Sequence, residues 1–163
     1  MPSVLFVCTA NRFRSPVAAA LFKKKLDEMG ASDGWRVSSA GTWTENELPV
    51  ISSISRITQK LGIDLSTHRS VGVNKQLLAE YDLTLVMEAG QKEALVSEFP
   101  HIKHHVFLLS YVAENRLYDI PDVLDSRQEA EKIVLEINSL IQRGYDAIFA
   151  LATNLSHIRY VAR

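Results

Sequence analysis

Short apolar runs alternate with amphipathic helical stretches along most of the sequence, and this alternation restricts the fold more than any other feature. Residues 4–7 are apolar at every position, as expected for a strand buried on both faces of a parallel sheet. Residues 35–40, 83–87 and 106–109 predict three further strands. Because strands that alternate with helices form parallel sheets with helices on their faces, we expect a doubly wound α/β fold.

Helical signals fill the stretches between these strands. Ser15 and Pro16 offer an N-cap followed by proline at the first helical position, so the first helix is predicted to begin there. Apolar residues recur at helical spacing over residues 50–61, and Gly62 is predicted to end that helix. Residues 89–99 predict a helix after the third strand.

The last predicted helix is the best defined. It opens with a capping box, Ser126-x-x-Glu129, carries apolar residues at helical spacing and is predicted to stop at Gly144. Residues 145–163 form a C-terminal extension that either docks through its apolar residues or is frayed. The sequence shows no linker or repeat that divides the chain, so residues 1–163 are predicted to form a single domain.

Composition limits the binding partners and the cellular location that we expect. The 163 residues carry a net charge of -1 and no basic cluster, so neither nucleic acid nor a membrane surface is an expected partner. No apolar stretch reaches roughly 18 residues, and residues 1–7 lack the features of a signal peptide. A metal site is not predicted, because no cysteine or carboxylate pattern accompanies His101, His104 and His105. The single cysteine suits a reducing compartment, which predicts a cytoplasmic protein.

The loop between the first strand and the first helix carries the chemistry. Residues 8–15 fit the pattern C-x5-R-[ST], with Cys8 at its start and Arg14 next to its end. Ligands of open parallel sheets bind outside the carboxyl ends of the strands, and the N–H groups of a helix N-terminus favour anions. The loop is therefore predicted to bind phosphate or sulfate with its backbone N–H groups and the Arg14 guanidinium.

Cys8 stands where a thiolate is stabilised. The helix dipole, the loop N–H groups and the Arg14 guanidinium all favour the charged, nucleophilic form of the sulfur. The same donors neutralise the oxygens of a phosphoryl group during its transfer. From the C-x5-R-[ST] pattern alone, a second interpretation stays open, in which Cys8 is a small buried hydrophobic residue and Arg14 is a solvated surface residue.

The segment V-L-F-V-C-x2-N-x2-R-S-P-x-A, residues 4–18, resembles the N-terminal signature of the low-molecular-weight protein tyrosine phosphatases. Further segments recur in family order over residues 3–143, namely 39–42, 62–64, 67–69, 81–88 and 120–122. The resemblance implies a flavodoxin-like, four-stranded parallel sheet flanked by helices. It also implies hydrolysis of phosphotyrosine in proteins, or of small aryl phosphates, through a phosphocysteine and without a metal or other cofactor.

Residue roles follow the resemblance where the letters match. Cys8 is the implied nucleophile, Arg14 the implied phosphate clamp, and Ser15 a hydroxyl donor to the departing thiolate. The implied phosphate-binding loop is Thr9, Ala10, Asn11, Arg12, Phe13, Arg14 and Ser15. The residues implied to support this loop are Asn11, Ser15, Ser39 and His68.

The general acid is the largest departure from the family pattern. The family places this acid in an Asp-Pro-Tyr segment, whereas here Asp122 is followed by Val123 and Leu124. Asp122 is the aligned acid. Without the proline the loop lacks one fixed φ angle, so Asp119 or Asp125 could compete for the role. Alternatively these aspartates only cap the last helix, as Asp125 is placed to do.

Three more positions in or near the loop are singled out. Phe13 stands where many relatives have a second cysteine, so oxidised Cys8 is expected to stop at sulfenic acid or to pair with an external thiol. Trp43 is predicted to wall an apolar cleft for an aromatic substrate, with a core or surface tryptophan as the alternative. Arg12 is expected either to line the mouth of the loop or to point into solvent.

Two other functions stay open at this point. In one, the chain is a non-catalytic or weakly active module that binds phosphate or phosphoproteins, because the altered segment at Asp122 no longer supports chemistry. In the other, the chain is an arsenate reductase that uses an external thiol, since it lacks the further cysteines of the known reduction cascade.

Overall fold

The computed structural model describes residues 1–161, and its centre is a sheet of four parallel strands. The strands are β1 (Ser3–Cys8), β2 (Arg36–Gly41), β3 (Leu83–Val86) and β4 (Val106–Leu108). Their order in the sheet is β2-β1-β3-β4, which confirms the predicted doubly wound fold. The winding direction changes beside β1, and such a switch point is where ligands of open α/β sheets bind.

Helices cover both faces of this sheet. They are α1 (Arg14–Glu28), α2 (Ser52–Gln59), α3 (Lys75–Glu80), α4 (Ala89–Glu98), α5 (Leu109–Glu114) and α6 (Arg127–Val161). A short 3-10 helix spans Pro100–Ile102. Among residues 1–161, no helix combines the length and the apolarity that a membrane crossing requires.

The side chains of β1 alternate between the two faces of the sheet. Val4 and Phe6 belong to the core shared with α1 and α6, whereas Leu5 and Val7 belong to the core shared with α3 and α4. All four side chains are fully buried. A strand covered on both faces needs an apolar residue at every position, which explains the unbroken apolar run in the sequence.

The last helix does not stop at Gly144, so that predicted boundary is wrong. Helix α6 continues to Val161, and its buried stripe goes on through Tyr145, Ile148 and Ala152. The glycine instead permits a close approach between helices, because a Cβ atom there would lie 2.4 Å from the Cβ atom of Ala113 in α5. Residues 145–161 therefore continue the packed helix, and residues 162–163 lie outside the described residues.

The predicted start of the first helix is also wrong. Helix α1 begins at Arg14, and no side chain caps it. The hydroxyl of Ser15 is used differently: it accepts a hydrogen bond from the Asn11 side chain at 2.8 Å and donates to the carbonyl oxygen of Ala40 at 3.2 Å. The polar residue that the sequence pattern assigned to capping thus supports the loop.

The sequence patterns miss two short helices, α3 and α5, and misplace the end of helix α2. Helix α3 follows Asn74, whose side chain accepts a hydrogen bond from the N–H of Leu77 at 2.8 Å. Helix α5 begins at Leu109, which the sequence pattern assigned to the fourth strand. Helix α2 ends at Gln59, and Gly62 takes a left-handed conformation, φ 72°, in the turn beyond it.

Candidate active site

The candidate site lies at the carboxyl edge of the sheet, where β1 ends at Cys8. The N–H of Thr42 donates to the carbonyl oxygen of Cys8 at 2.9 Å, just past the end of β2. The N–H of Trp43 donates to the carbonyl oxygen of Thr9 at 3.0 Å. A Cβ atom at Gly41 would lie 2.6 Å from that same oxygen of Thr9, so glycine is required for the close approach. The end of β2 thereby fixes the start of the loop.

The sulfur of Cys8 is buried but contacts polar groups. The side chain is only 2% exposed. Its Sγ atom lies 3.3 Å from the backbone nitrogen of Asn11, which donates to it, and 3.0 Å from the hydroxyl of Ser15. The N–H of Asn11 stabilises a negative charge on sulfur, which an aliphatic surrounding does not.

Asn11 connects the loop to its surroundings through both its backbone and its side chain. Its backbone is left-handed, φ 55°, and the residue is completely buried. The side-chain nitrogen donates to the hydroxyls of Ser15 at 2.8 Å and Ser39 at 2.9 Å. The side-chain oxygen accepts from the N–H of Val71 at 2.9 Å, and the carbonyl oxygen faces Nε2 of His68 at 2.8 Å. The structure thus brings all four predicted support residues together.

The ring of His68 holds the outer side of the loop. Because a carbonyl oxygen only accepts, the 2.8 Å contact with Asn11 requires the proton on Nε2 of the histidine. Burial lowers the pKa of His68, and the nearby charges of Arg69 and Lys23 lower it further, while the bond to Asn11 opposes them. The neutral ring with a proton on Nε2 is therefore the form that the fold favours.

The N-terminus of α1 leaves donors free for an anion. Within residues 1–161, the N–H groups of Arg12, Phe13, Arg14 and Ser15 have no protein acceptor. A helix N-terminus with unpaired N–H groups attracts negative charge. These amides lie in the loop that begins at the sulfur of Cys8, so nucleophile and anion donors share one short segment.

Arg14 is a buried cation with an ordered set of partners, and the reading as a solvated surface residue is wrong. It is 1% exposed. Its Nη1 atom pairs with Glu88 and donates to the carbonyl oxygen of Ile120 at 2.8 Å. Its Nη2 atom lies 3.2 Å from a carboxyl oxygen of Asp122. Its Nε–H is buried and has no partner among residues 1–161, so it remains available to a bound oxyanion.

The segment before α6 brings Asp122, rather than the other two aspartates, to Arg14. Asp122 is 42% exposed and reaches the guanidinium from the solvent side. Asp119 instead accepts a hydrogen bond from the N–H of Ala89 at 2.8 Å, at the start of α4. The hydroxyl of Ser126, not the carboxyl of Asp125, caps α6 by accepting from the N–H of Glu129 at 3.2 Å.

The sequence patterns did not single out two further residues of the site, Glu88 and Gln91. Glu88 is the partner of Arg14 and the N-cap of α4. Gln91 accepts from the N–H of Glu88 at 3.0 Å and donates to the hydroxyl of Thr9 at 3.1 Å. The capping box Glu88-x-x-Gln91 is a visible signal of the helix start, but its polar side chains gave no sign of contact with the distant loop.

Trp43 and Arg12 lie at the rim. The indole of Trp43 is 86% exposed, so it is not a core tryptophan. Its backbone bond to Thr9 places it directly beside the loop. Arg12 is half-buried, and its Nε–H donates to the carbonyl oxygen of Pro49 at 2.8 Å. The structure thus places the backbone of Trp43 beside the loop and ties the side chain of Arg12, itself a loop residue, to Pro49.

Comparison with known proteins defines the family. The family model for low molecular weight phosphotyrosine protein phosphatase matches residues 3–154. A probable low molecular weight protein-tyrosine-phosphatase, EpsP of Ralstonia nicotianae, is 34% identical over 145 residues, covering 89% of this chain and 92% of that protein. A protein-arginine-phosphatase of Geobacillus stearothermophilus is 30% identical over 141 residues, covering 86% and 91%. The chain belongs to the low molecular weight phosphotyrosine protein phosphatase family.

Solved structures agree with this assignment. The low molecular weight protein tyrosine phosphatase from T. tengcongensis has a TM-score of 0.83 and 30% identity, covering 90% of this chain and 99% of that chain. Wzb from Escherichia coli K30, solved with sulphate, has a TM-score of 0.77 and 26% identity over 88% and 96%. Vibrio vulnificus Wzb, solved with benzylphosphonate, has a TM-score of 0.75 and 26% identity over 94% and 98%.

These comparisons confirm the predicted fold and the predicted class of enzyme, a phosphatase. The two other functions left open by the sequence, a non-catalytic binding module and an arsenate reductase, are not favoured, since the relatives described above are named as phosphatases.

Proposed function

We propose that the chain hydrolyses phosphotyrosine in proteins, and small aryl phosphates, by transferring the phosphoryl group to Cys8 and then to water. One observation carries the proposal: the sulfur of Cys8 contacts the N–H of Asn11 and the hydroxyl of Ser15 at the start of the loop. In the same loop, the N–H groups of residues 12–15 and the Nε–H of Arg14 find no protein acceptor among residues 1–161. That arrangement supports an ionised nucleophile beneath a bound phosphoryl group.

In the first step a lone pair of the Cys8 sulfur attacks phosphorus. A sulfur–phosphorus bond forms as the bond between phosphorus and the tyrosyl oxygen breaks, and that oxygen keeps the bonding pair. The protonated carboxyl group of Asp122 gives its proton to this oxygen, so tyrosine leaves as a neutral phenol. The loop amides and the Arg14 guanidinium hold the three other phosphoryl oxygens throughout.

In the second step water releases the phosphate. The carboxylate of Asp122 takes a proton from a water molecule, whose oxygen attacks phosphorus as the bond to sulfur breaks. The electron pair returns to the sulfur of Cys8. The hydroxyl of Ser15, which donates to the carbonyl oxygen of Ala40, is 3.0 Å from that sulfur and can turn its proton toward the departing thiolate.

The rim supports an aromatic leaving group. Trp43 presents an exposed indole beside the loop, a surface against which a phenyl ring packs. Benzylphosphonate, the ligand of the Vibrio vulnificus relative, is itself an aromatic phosphoryl compound.

The proposal also covers the location and the domain organisation. A single free cysteine that must stay reduced supports action in the cytoplasm. The continuous core formed with β1 and α6 supports one domain.

Phosphoarginine is a second candidate substrate. It is favoured by one observation, the similarity to the protein-arginine-phosphatase of Geobacillus stearothermophilus. The same loop would serve it, because phosphorus is again attacked by Cys8 and the leaving nitrogen again needs a proton. Two peptides of identical sequence, one with phosphotyrosine and one with phosphoarginine at the same position, separate the candidates by their kcat/KM values.

The proposal is tested with Cys8→Ser. We expect this variant to lose turnover of an aryl phosphate and to keep binding inorganic phosphate, measured by calorimetry, because the loop donors remain. During turnover by the unchanged protein, acid quenching and mass analysis should find a phosphoryl group on Cys8. Full activity of Cys8→Ser would overturn the mechanism.

A further inference from the structure

Arg14, the proposed phosphate clamp, has little positive charge that is not already compensated by carboxyl groups. The single positive charge of Arg14 faces two carboxyl groups, those of Glu88 and Asp122. Even when Asp122 is protonated for catalysis, Glu88 still balances the guanidinium. The attraction for a negatively charged substrate must therefore come from the loop amides and from any cation nearby that lacks a carboxylate partner.

Arg12 is such a cation. Among residues 1–161, no carboxyl group pairs with it. Its Nε–H is held by the carbonyl oxygen of Pro49, and this leaves both Nη groups without a protein acceptor in the described chain. Its own carbonyl oxygen accepts from the N–H of Ile51 at 3.1 Å. The main chain and the side chain of Arg12 are thus each held by one hydrogen bond to the segment of Pro49 and Ile51.

The anchor also joins Arg12 to residues 42–51. Trp43 is bonded to the loop at one end of this segment, and Pro49 and Ile51 are bonded to Arg12 at the other. A peptide whose phosphotyrosine enters the loop would bring its neighbouring residues close to this segment and to Arg12. Those residues would therefore approach a guanidinium that a hydrogen bond already holds.

We propose that Arg12 is a specificity-determining residue that selects phosphorylated substrates carrying a second negative charge, from an acidic side chain beside the phosphorylated residue. The inference rests on the proposed function and names the class of substrate that the site prefers. A guanidinium that a hydrogen bond already holds loses less freedom when it binds a carboxylate, and its two free Nη groups match the two carboxylate oxygens.

Two acidic residues lie in the same segment, residues 42–51, and limit the preference for acidic peptides. Glu45 and Glu47 are tied through their backbones to Ser70, and neither pairs with Arg12. Their charges repel an acidic substrate, so the net preference is modest. Replacing both by glutamine should raise the preference that Arg12 provides.

The test compares two phosphotyrosine peptides that differ only in having glutamate or glutamine next to the phosphotyrosine. We expect the ratio of their kcat/KM values to favour the acidic peptide by about two- to fivefold, the range of an exposed ion pair, and to fall as salt is raised. Arg12→Gln should bring the ratio close to one, and Arg12→Lys should keep most of it. Any change to the loop itself affects both peptides and cancels in the ratio.

The matched control is Lys103→Gln. Lys103 is exposed and precedes β4 at the amino edge of the sheet, the edge opposite the loop, so this variant removes the same charge far from the cleft and should keep the ratio. If Arg12→Gln keeps the original ratio, or if the unchanged protein hydrolyses both peptides equally well, the inference about Arg12 is overturned while the proposed function stands. If neither peptide is hydrolysed by the unchanged protein, both proposals are overturned.

Discussion

Nη2 of Arg14 and Oδ2 of Asp122 lie 3.2 Å apart, although the two residues belong to segments that are distant in the sequence. The contact joins the first turn of α1 to the segment that precedes α6. The proposed phosphate clamp and the proposed acid therefore meet on one side of the loop. If a phosphoryl group accepted the Nη2 hydrogens in the proposed mechanism, it would compete with Asp122 for the guanidinium.

Asp122→Asn should slow hydrolysis according to the leaving group. The variant cannot donate a proton, so we expect the rate on phosphotyrosine to fall by about two orders of magnitude or more, the usual contribution of a general acid. An aryl phosphate with a very good leaving group should lose much less. Asp119→Asn is the matched control, because Asp119 bonds to the N–H of Ala89. A larger loss in that control would assign the acid to Asp119.

Asn11→Ala should disrupt the loop far more than a similar change elsewhere. Left-handed backbone costs alanine about 1–2 kcal/mol, and each buried polar group left unpaired adds about 1–3 kcal/mol. We expect the free energy of unfolding, from urea denaturation, to fall by at least about 3 kcal/mol. Asn115 has almost the same backbone, φ 56°, but is exposed at the end of α5, so Asn115→Ala should lose only the backbone contribution. Equal losses would contradict the role given to Asn11.

His68 should make the fold less stable in acid. Burial lowers its pKa in the folded chain, so below the ordinary histidine pKa of about 6.5 the unfolded chain binds more protons than the folded one. The free energy of unfolding should therefore begin to fall as the pH drops below about 6.5, and this contribution should level off below the folded-state pKa. In His68→Gln this part of the pH profile should vanish. His104→Gln, at an exposed position, should leave it unchanged.

Gly144→Ala should destabilise the protein even though alanine favours helices. The added Cβ would lie 2.4 Å from Ala113, and such overpacking costs about 1–3 kcal/mol. Gly90 in α4 is the matched control, since a Cβ there meets nothing within 4 Å. Gly90→Ala should raise the free energy of unfolding by at most about 1 kcal/mol, because Gly90 is the second residue of α4 and the full propensity gain applies to a helix interior. Stabilisation by both changes would show that α5 and α6 can move apart.

Sequence periodicity predicts the parts of the fold that are repetitive. The apolar run of β1 and the stripe of α6 are visible because each side chain meets a core at a regular interval. The end of α6 was predicted wrongly because glycine has two uses, to end a helix or to let another helix approach, and only the position of Ala113 decides between them. The short helices α3 and α5 span too few residues to show a period.

The candidate site also has one part that the sequence predicts and one part that it does not. Cys8 and Arg14 belong to one local pattern, so their proximity follows from a single loop. Glu88, Gln91 and the carbonyl oxygen of Ile120 reach that loop only because β1 and β3 are neighbours in the sheet. The local sequence around these residues does not predict which strands are neighbours. A contact made by a backbone carbonyl oxygen does not depend on residue type, so the sequence cannot indicate it.

Phe13 is buried next to Arg14 in the loop, and Cys8 is the only cysteine among the 163 residues. An oxidised Cys8 therefore finds no second thiol within these 163 residues with which to form a disulfide. A thiol-specific alkylating reagent adds its mass to Cys8 alone, whereas peroxide also oxidises the three methionines. An intact-mass spectrum after alkylation therefore reports what fraction of Cys8 is still reduced after peroxide and what fraction an added reductant restores.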